Sequence, residues 1–147
     1  MAYATAAYGD TVPILAGILA ARHWHAIPRA IAVTVIVVPE QHRPVTLATG
    51  GRVVFTQRDT IKIDAVPVTV GLGVMRVTGI EQTLVDLITR PDLGGLPAEA
   101  RAAAASLIAQ ANTDRLASVV NALPTTTATK VRAWLAEQGN AGVRSQP

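Results

Sequence analysis

The run AIAVTVIVV, which ends at Val38, constrains the fold more than any other stretch of this sequence. From residue 31 onward its side chains are mostly β-branched, and such side chains pack well on the pleated surface of a sheet. Pro39 ends the run, which is long enough for a central strand and too short for most helices. The chain must therefore build a sheet around residues 31–38.

Several short strand-like segments follow this run and predict a sheet of about six strands. They cover residues 45–48, 52–57, 61–63, 66–70 and 74–77. Gly50 and Gly51, between the first two segments, indicate a hairpin, because glycine accepts the positive φ of tight turns. The connections are too short for crossovers, so we expect mostly antiparallel neighbours.

Helical periodicity flanks this block of strands on both sides. Before the block, Thr11 and Pro13 predict a helix start. The apolar residues of that helix recur on one face: Ile14, Leu15, Ile18 and Leu19. After Thr78, apolar stripes predict about four helices. We therefore predict an α+β fold, in which a mostly antiparallel sheet is packed by an N-terminal helix and a C-terminal set of about four helices.

The 147 residues suit a single domain with two flexible ends. We expect a flexible lead over residues 1–10 and a flexible tail over residues 139–147, where no periodic pattern is present. The domain between them covers residues 11–138. It divides into a sheet lobe at about residues 11–77 and a helical lobe at about residues 78–138.

Composition excludes several classes of protein. The sequence contains no cysteine, which excludes disulfide frameworks, thiolate zinc sites and thiol catalysis. Its densest apolar runs reach about half of the roughly 20 residues that cross a bilayer. The first 21 residues contain no Lys or Arg, although a secretory signal peptide begins with basic residues. We therefore expect a cytoplasmic protein.

No motif supports an enzyme or a metal site. His23 and His25 are two residues apart, so on a helix they point about 200° apart, and no third ligand pattern accompanies them. Lys62 and Asp64 share a strand face without the glutamate that a two-carboxylate nuclease needs. The segment VGLGVMRVTG lacks the full glycine pattern of a phosphate loop. We expect no catalytic residue, no metal and no cofactor.

Arginine dominates the positive charge of this chain. Eleven of the 13 basic residues are Arg, and the formal net charge is +3. The forked donors of Arg suit contacts with carboxylates or phosphates. Because most of the basic excess precedes residue 63, the strands carry either a basic patch or ordinary solvated charge. The candidates for partner binding are Arg43, Arg52, Arg58 and Lys62, with Trp24 as an apolar anchor.

The segment VTGIEQTLVDLITRPDLGG, residues 77–95, encodes a helix with clear start and stop signals. Thr78 and Glu81 have the spacing of a capping box. Asp86 and Arg90 are four residues apart and can pair along the flank of the helix. Pro91 ends the helix. These charges therefore have structural roles, and a docking surface is the alternative interpretation.

The same segment resembles AbiEi-type antitoxins, in which a TLLDL helix runs into RPxLGG; this chain has QTLVDLITRPDLGG. The earlier stretches LAARHWHAIPRAIAVTVIVVPE and VVFTQRD resemble other parts of that family, in the same order. Together they cover about residues 11–111. The resemblance implies an antitoxin of the bacterial abortive-infection class, encoded beside a nucleotidyltransferase toxin of the AbiEii kind. The two proteins are usually described as not forming a stable complex.

The resemblance also implies a division of roles within the family. Its members carry an N-terminal winged helix that represses their operon and a C-terminal domain that provides antitoxicity. Only ten residues precede Thr11, so we expect the C-terminal domain without operator binding. We therefore expect a non-enzymatic antitoxin that opposes the toxin directly or only functionally, with no membrane partner. The alternative is a nucleic-acid-binding module that contacts DNA or RNA phosphates through the Arg-rich strands.

Overall fold

A computed structural model describes residues 14–28, 32–41, 43–48, 50–58, 63–70 and 73–144. The described residues form six strands: β1 (Ile14–Leu15), β2 (Val33–Val38), β3 (Val45–Thr46), β4 (Arg52–Gln57), β5 (Ala65–Val70) and β6 (Gly73–Thr78). They also form five helices: α1 (Gly17–His23), α2 (Ile80–Thr89), α3 (Pro97–Leu107), α4 (Thr113–Asn121) and α5 (Thr125–Arg144). The predicted α+β class is confirmed.

The strands form one sheet in the order β3-β4-β2-β1-β6-β5. The pairs β1–β2, β3–β4 and β5–β6 are antiparallel, which confirms a mostly antiparallel sheet. The pairs β2–β4 and β1–β6 are parallel, so the argument from short connections is wrong for these two pairs. Strands β2 and β4 are parallel because the chain reverses its direction before β3 and again after it. Gly50, at φ 93°, forms the predicted β3–β4 turn.

The central strand β2 carries apolar side chains on both faces. Val35 and Val37 belong to the buried cluster that includes the helices. Ile36 and Val38 belong to a second buried cluster with Phe55 of β4. This alternation is the period of a strand, and burial on both faces explains why the run contains no polar face. The prediction of a central strand is confirmed for residues 33–38.

Helix α2 lies at the centre of the helical layer and contacts α1, α3, α4 and α5. Seven of its ten residues are buried. Its Leu84 and Leu87 share one buried cluster with Val35 and Val37 of the sheet. The boundary near Thr78 that separates the two predicted lobes therefore lies within continuous packing.

The first predicted helix begins later than expected. Ile14 and Leu15 form β1, which pairs with β2 on one side and β6 on the other. Helix α1 begins only at Gly17, because the backbone amide of Ala16 donates to the Val35 carbonyl at 2.9 Å and keeps the chain extended. The predicted start at Thr11 and Pro13 lies outside the described residues.

Three further boundaries differ from the prediction or lie outside the described residues. Ile63 belongs to no strand, and residues 61–62 are outside the described residues. Helix α5 continues to Arg144, past residue 139, where the tail is predicted to begin. Residues 1–10 and 145–147 are likewise outside the described residues. No helix in the described ranges is long and apolar enough to cross a membrane.

Gly94, in the turn between α2 and α3, allows α1 to approach closely. A Cβ added there would lie 2.7 Å from Cγ1 of Ile18, whose side chain is buried. Gly94→Ala should therefore destabilise the fold by about 1 to 3 kcal/mol, as overpacking does in close-packed cores. Urea unfolding measures the loss.

The matched control is the Ile18→Val variant, which removes the Cδ1 atom nearest to the added methyl group. The double variant should lose less stability than the sum of the two single-variant losses, because the shorter side chain relieves the overlap. Additive losses would show that Gly94 is needed for another reason.

Candidate functional site

The junction of β6 and α2 is held by hydroxyl groups in place of the predicted capping box. Thr78 is the last residue of β6, and Gly79 occupies the N-cap position without a side-chain cap. The Thr78 hydroxyl lies 2.7 Å from the Thr83 hydroxyl. A Cβ at position 79 would lie 2.7 Å from the Asp64 carboxylate, so a capping side chain there would require Asp64 to move. The capping-box prediction is therefore wrong.

Glu81 connects α2 with α4 across a long stretch of chain. Its carboxylate accepts a hydrogen bond of 3.1 Å from the backbone amide of Asn112, the N-cap residue of α4. Asn112 in turn accepts from the amide of Arg115 at 3.0 Å. Glu81 is 4% exposed, so its buried charge is satisfied by the free amide at the start of α4.

Asp86 pairs with Arg58, and the predicted surface pair with Arg90 is wrong. Nη1 of Arg58 donates to Oδ1 of Asp86 at 2.5 Å, and the Gln82 amide donates to the same oxygen at 3.0 Å. Asp86 is 3% exposed, whereas the Arg58 side chain is 26% exposed. The pair thus joins the end of β4 to the middle of α2. Oδ2 of Asp86 is buried and has no hydrogen-bond donor among the described residues.

Burial raises the pKa of Asp86 above its ordinary value of 3.8, because a carboxylate removed from water is harder to ionise. The charge and hydrogen bond of Arg58, the hydrogen bond of Gln82 and the charge of Arg90 lower the pKa but do not offset the burial. Asp86 therefore has the perturbed titration that is common at functional sites and is also found in structural ion pairs.

A cleft of about 1040 Å³ lies beside this ion pair, between α2, α4 and α5; we call it the α2–α4–α5 cleft. Asp86 and Val85 are the most deeply buried residues of its lining. Ile63, Val119 and Leu123 add half-buried apolar side chains. The exposed charged residues of the lining are Arg90, Asp114, Arg115 and Lys130. The cleft thus combines a carboxylate at its base, apolar walls and a charged rim.

The partner-binding residues predicted from sequence lie in different parts of the fold. Arg43 and Arg52 are exposed beside the β3–β4 hairpin, where β3 is the last strand of the sheet. Arg58 turns toward α2, and Lys62 is outside the described residues. Trp24 is half-buried after α1, and its Nε1 donates to the Thr78 carbonyl at 2.8 Å. No described contact joins these residues into one site.

Sequence reasoning missed the residues that surround Asp86. Gln82 had a usable signal, because residues four apart share a helix face and an amide can donate to a carboxylate there. Arg115 and Lys130 had none, since they lie on separate helices far along the chain. In the described residues, no group of three His, Asp or Glu side chains is arranged to hold a metal ion.

The family model described as AbiEi antitoxin C-terminal domain matches residues 15–137, which include all the elements from α1 to α4, part of β1 and most of α5. No curated protein and no solved structure matches the chain.

Replacing Arg58 by Met should leave the Asp86 carboxylate buried without its counterion. We expect a loss of about 2 to 3 kcal/mol in unfolding free energy, below the value for a fully buried pair because Arg58 is partly exposed. Urea unfolding of Arg58→Met and Arg58→Met/Asp86→Asn tests the cause. The double variant should recover part of the loss, since a neutral amide needs no counterion. No recovery would show that Arg58 acts through packing.

The raised pKa of Asp86 predicts a definite pH dependence of stability. Between the unfolded pKa and the higher folded pKa, the folded state binds more protons, so stability falls as pH rises through this window. Acidification from pH 7 toward pH 4 should therefore stabilise the native chain relative to Asp86→Asn, in which this titration is absent. Unfolding curves of both proteins at several pH values measure the difference. If acidification instead destabilises the native chain relative to Asp86→Asn, the charge of Arg58 lowers the pKa of Asp86 more than burial raises it.

Proposed function

Because this chain belongs to the AbiEi antitoxin C-terminal domain family, we propose that it neutralises a nucleotidyltransferase toxin of the AbiEii kind without catalysing a reaction itself. The family gives the chain an antitoxin role in a toxin–antitoxin system. The observation that supports the proposal is the match over residues 15–137, which takes in the sheet and the helical layer together. The two parts share one buried cluster, so the matched region is one continuously packed unit.

The surface that we propose for the toxin is the β3–β4 edge, defined by Arg43 and Arg52. Both side chains are exposed and make no ion pair with any described residue. An unpaired guanidinium at a sheet edge can form forked contacts with the carboxylates of an acidic partner surface. Lys62 remains a candidate for the same partner. Trp24 remains a candidate apolar anchor through the exposed part of its ring.

Growth rescue tests this surface. The chain is co-expressed with the product of the neighbouring gene, and Arg43→Glu/Arg52→Glu should lose rescue because charge reversal repels an acidic partner. Exposed substitutions of this kind change stability by about 0.5 kcal/mol or less each, so unfolding curves should be nearly unchanged.

The matched control is Arg101→Glu, which reverses an exposed arginine of α3 away from this edge. The control should rescue growth like the native chain. Full rescue by the double variant would rule out the β3–β4 edge as the contact surface. If the native chain itself does not rescue growth, the product of the neighbouring gene is not the toxin that this chain opposes.

The same exposed arginines favour a second candidate function, which is nucleic-acid binding. Phosphate contacts release counterions, so the affinity for labelled DNA or RNA should fall steeply as salt rises. The Arg43→Glu/Arg52→Glu variant should bind more weakly and show a shallower salt dependence than Arg101→Glu. Absence of binding even at low salt removes this candidate and leaves the protein contact.

A further inference from the structure

Asp86 is the polar group of the α2–α4–α5 cleft whose bonding is incomplete. Both described donors, Arg58 and Gln82, bind Oδ1. Oδ2 is buried and receives no hydrogen bond from the described residues. Buried carboxylate oxygens are rarely left without a donor, because the desolvation of the charge is then uncompensated. Since Asp86 lines the cleft, a ligand bound there can supply the missing N–H or O–H group once the side chains that cover Oδ2 move aside.

The walls next to Asp86 suit a flat ring. Ile63, Val85, Val119 and Leu123 contribute apolar side chains from three sides of the cleft. The volume of about 1040 Å³ lies just above the range of roughly 300 to 1,000 Å³ for small-molecule sites. Apolar walls with few polar groups at the base are the usual composition of such sites, in which the polar groups fix the orientation of the ligand.

The rim of the cleft favours an anion. Arg58 is paired with Asp86 and is not available to a ligand. The remaining charges of the lining are basic at Arg90, Arg115 and Lys130 and acidic at Asp64 and Asp114. The three basic side chains make no ion pair with described residues, and all three are exposed at the mouth. The hydroxyl groups of Ser118, Thr126 and Thr127 add donors beside them.

We propose that the α2–α4–α5 cleft binds a nucleoside phosphate, with a base N–H group on Oδ2 of Asp86 and the phosphate among Arg90, Arg115 and Lys130. A nucleotide has the three required parts in the required order: a donor edge, a flat apolar-faced ring and an anion. A basic ligand is disfavoured, because the lining has three basic residues outside the Arg58–Asp86 pair and only two acidic ones. The proposal goes beyond the antitoxin role and needs no toxin.

Calorimetric titration of the full chain tests the proposal. The probes are ATP, GTP, CTP and UTP, with pyrophosphate as the anion that lacks a base. At least one nucleotide should bind at least tenfold more tightly than pyrophosphate, because only nucleotides reach Asp86. Equal binding of all probes, or no binding, overturns the proposal and leaves at most a surface for anions.

Two substitutions separate the base contact from the phosphate contact. Asp86→Asn places an amide donor at one of the two oxygen positions. It should weaken the binding of the preferred nucleotide by about tenfold and leave the binding of pyrophosphate nearly unchanged. Lys130→Ala should weaken the binding of all the nucleotides and of pyrophosphate by the same factor, because it removes only a positive charge. Arg101→Ala, an exposed arginine outside the cleft, is the matched control and should change nothing. Unchanged nucleotide affinity in Asp86→Asn contradicts the base contact.

A third variant keeps the test decisive if Asp86→Asn does not fold. Ser118 is exposed on α4 and lines the cleft, so Ser118→Trp places a large ring in the space beside Asp86 and Lys130 and leaves the core residues unchanged. It should abolish nucleotide binding and leave the unfolding curve close to the native one. Retained binding in a folded Ser118→Trp protein would place the nucleotide elsewhere and overturn the proposal.

The nucleoside phosphate can be a free nucleotide or the terminal nucleotide of an RNA strand. Short single-stranded RNA oligonucleotides that end in each of the four bases distinguish these sources. Tighter binding of an oligonucleotide than of its free terminal nucleotide identifies RNA as the source. In both cases Ser118→Trp should abolish the interaction, and an oligonucleotide that still binds this variant contacts a different surface.

Discussion

The burial of helix α2 on nearly all sides is the constraint on which the rest of this structure depends. The helix packs on the sheet and contacts each of the other four described helices. A helix in this position cannot present its charged side chains to water. Glu81 and Asp86 are 4% and 3% exposed, and each needs a partner from another element. The backbone amide of Asn112 binds the first, and Arg58 binds the second. These two contacts connect α2 with α4 and with the end of β4.

The order of the strands explains why Arg58 is available to α2. Strand β4 lies directly beside the central strand β2, and the backbone amide of Arg58 donates to the Val38 carbonyl at 2.9 Å. The end of β4 is therefore held next to the end of β2, beneath the helical layer. Arg52 begins the same strand six residues earlier, roughly 20 Å away at about 3.3 Å per residue, and its side chain is exposed there. The length of β4 thus separates Arg58, which pairs with α2, from Arg43 and Arg52, which are exposed.

This separation gives the antitoxin domain two surfaces of different chemistry. The β3–β4 edge carries exposed arginines that suit a flat acidic or phosphate-bearing partner. The α2–α4–α5 cleft is concave and combines a buried carboxylate with apolar walls. A partner that neutralises charge at the edge need not enter the cleft, and a small ligand in the cleft need not meet the edge. The antitoxin role of the family can therefore involve either surface, and substitutions at the two surfaces are separable.

The sequence by itself determined the secondary structure and its class. The β-branched run predicted the central strand, the glycine pair predicted the β3–β4 hairpin, and the period of the apolar residues predicted the four C-terminal helices. The helix motif at residues 77–95 also indicated the family that the comparison then showed. These features depend on residues that are close in the chain, where spacing alone specifies the geometry. The same local rules were wrong for Thr78 with Glu81 and for Asp86 with Arg90, because those rules describe the termini and flanks of helices in water. Only the tertiary structure decided that α2 is enclosed. In an enclosed helix, the cost of removing a charge from water is larger than the energy gained from a charged residue four positions away. Asp86 and Arg58, 28 positions apart, pair for that reason, and the cleft beside them exists only after the sheet and three helices have packed.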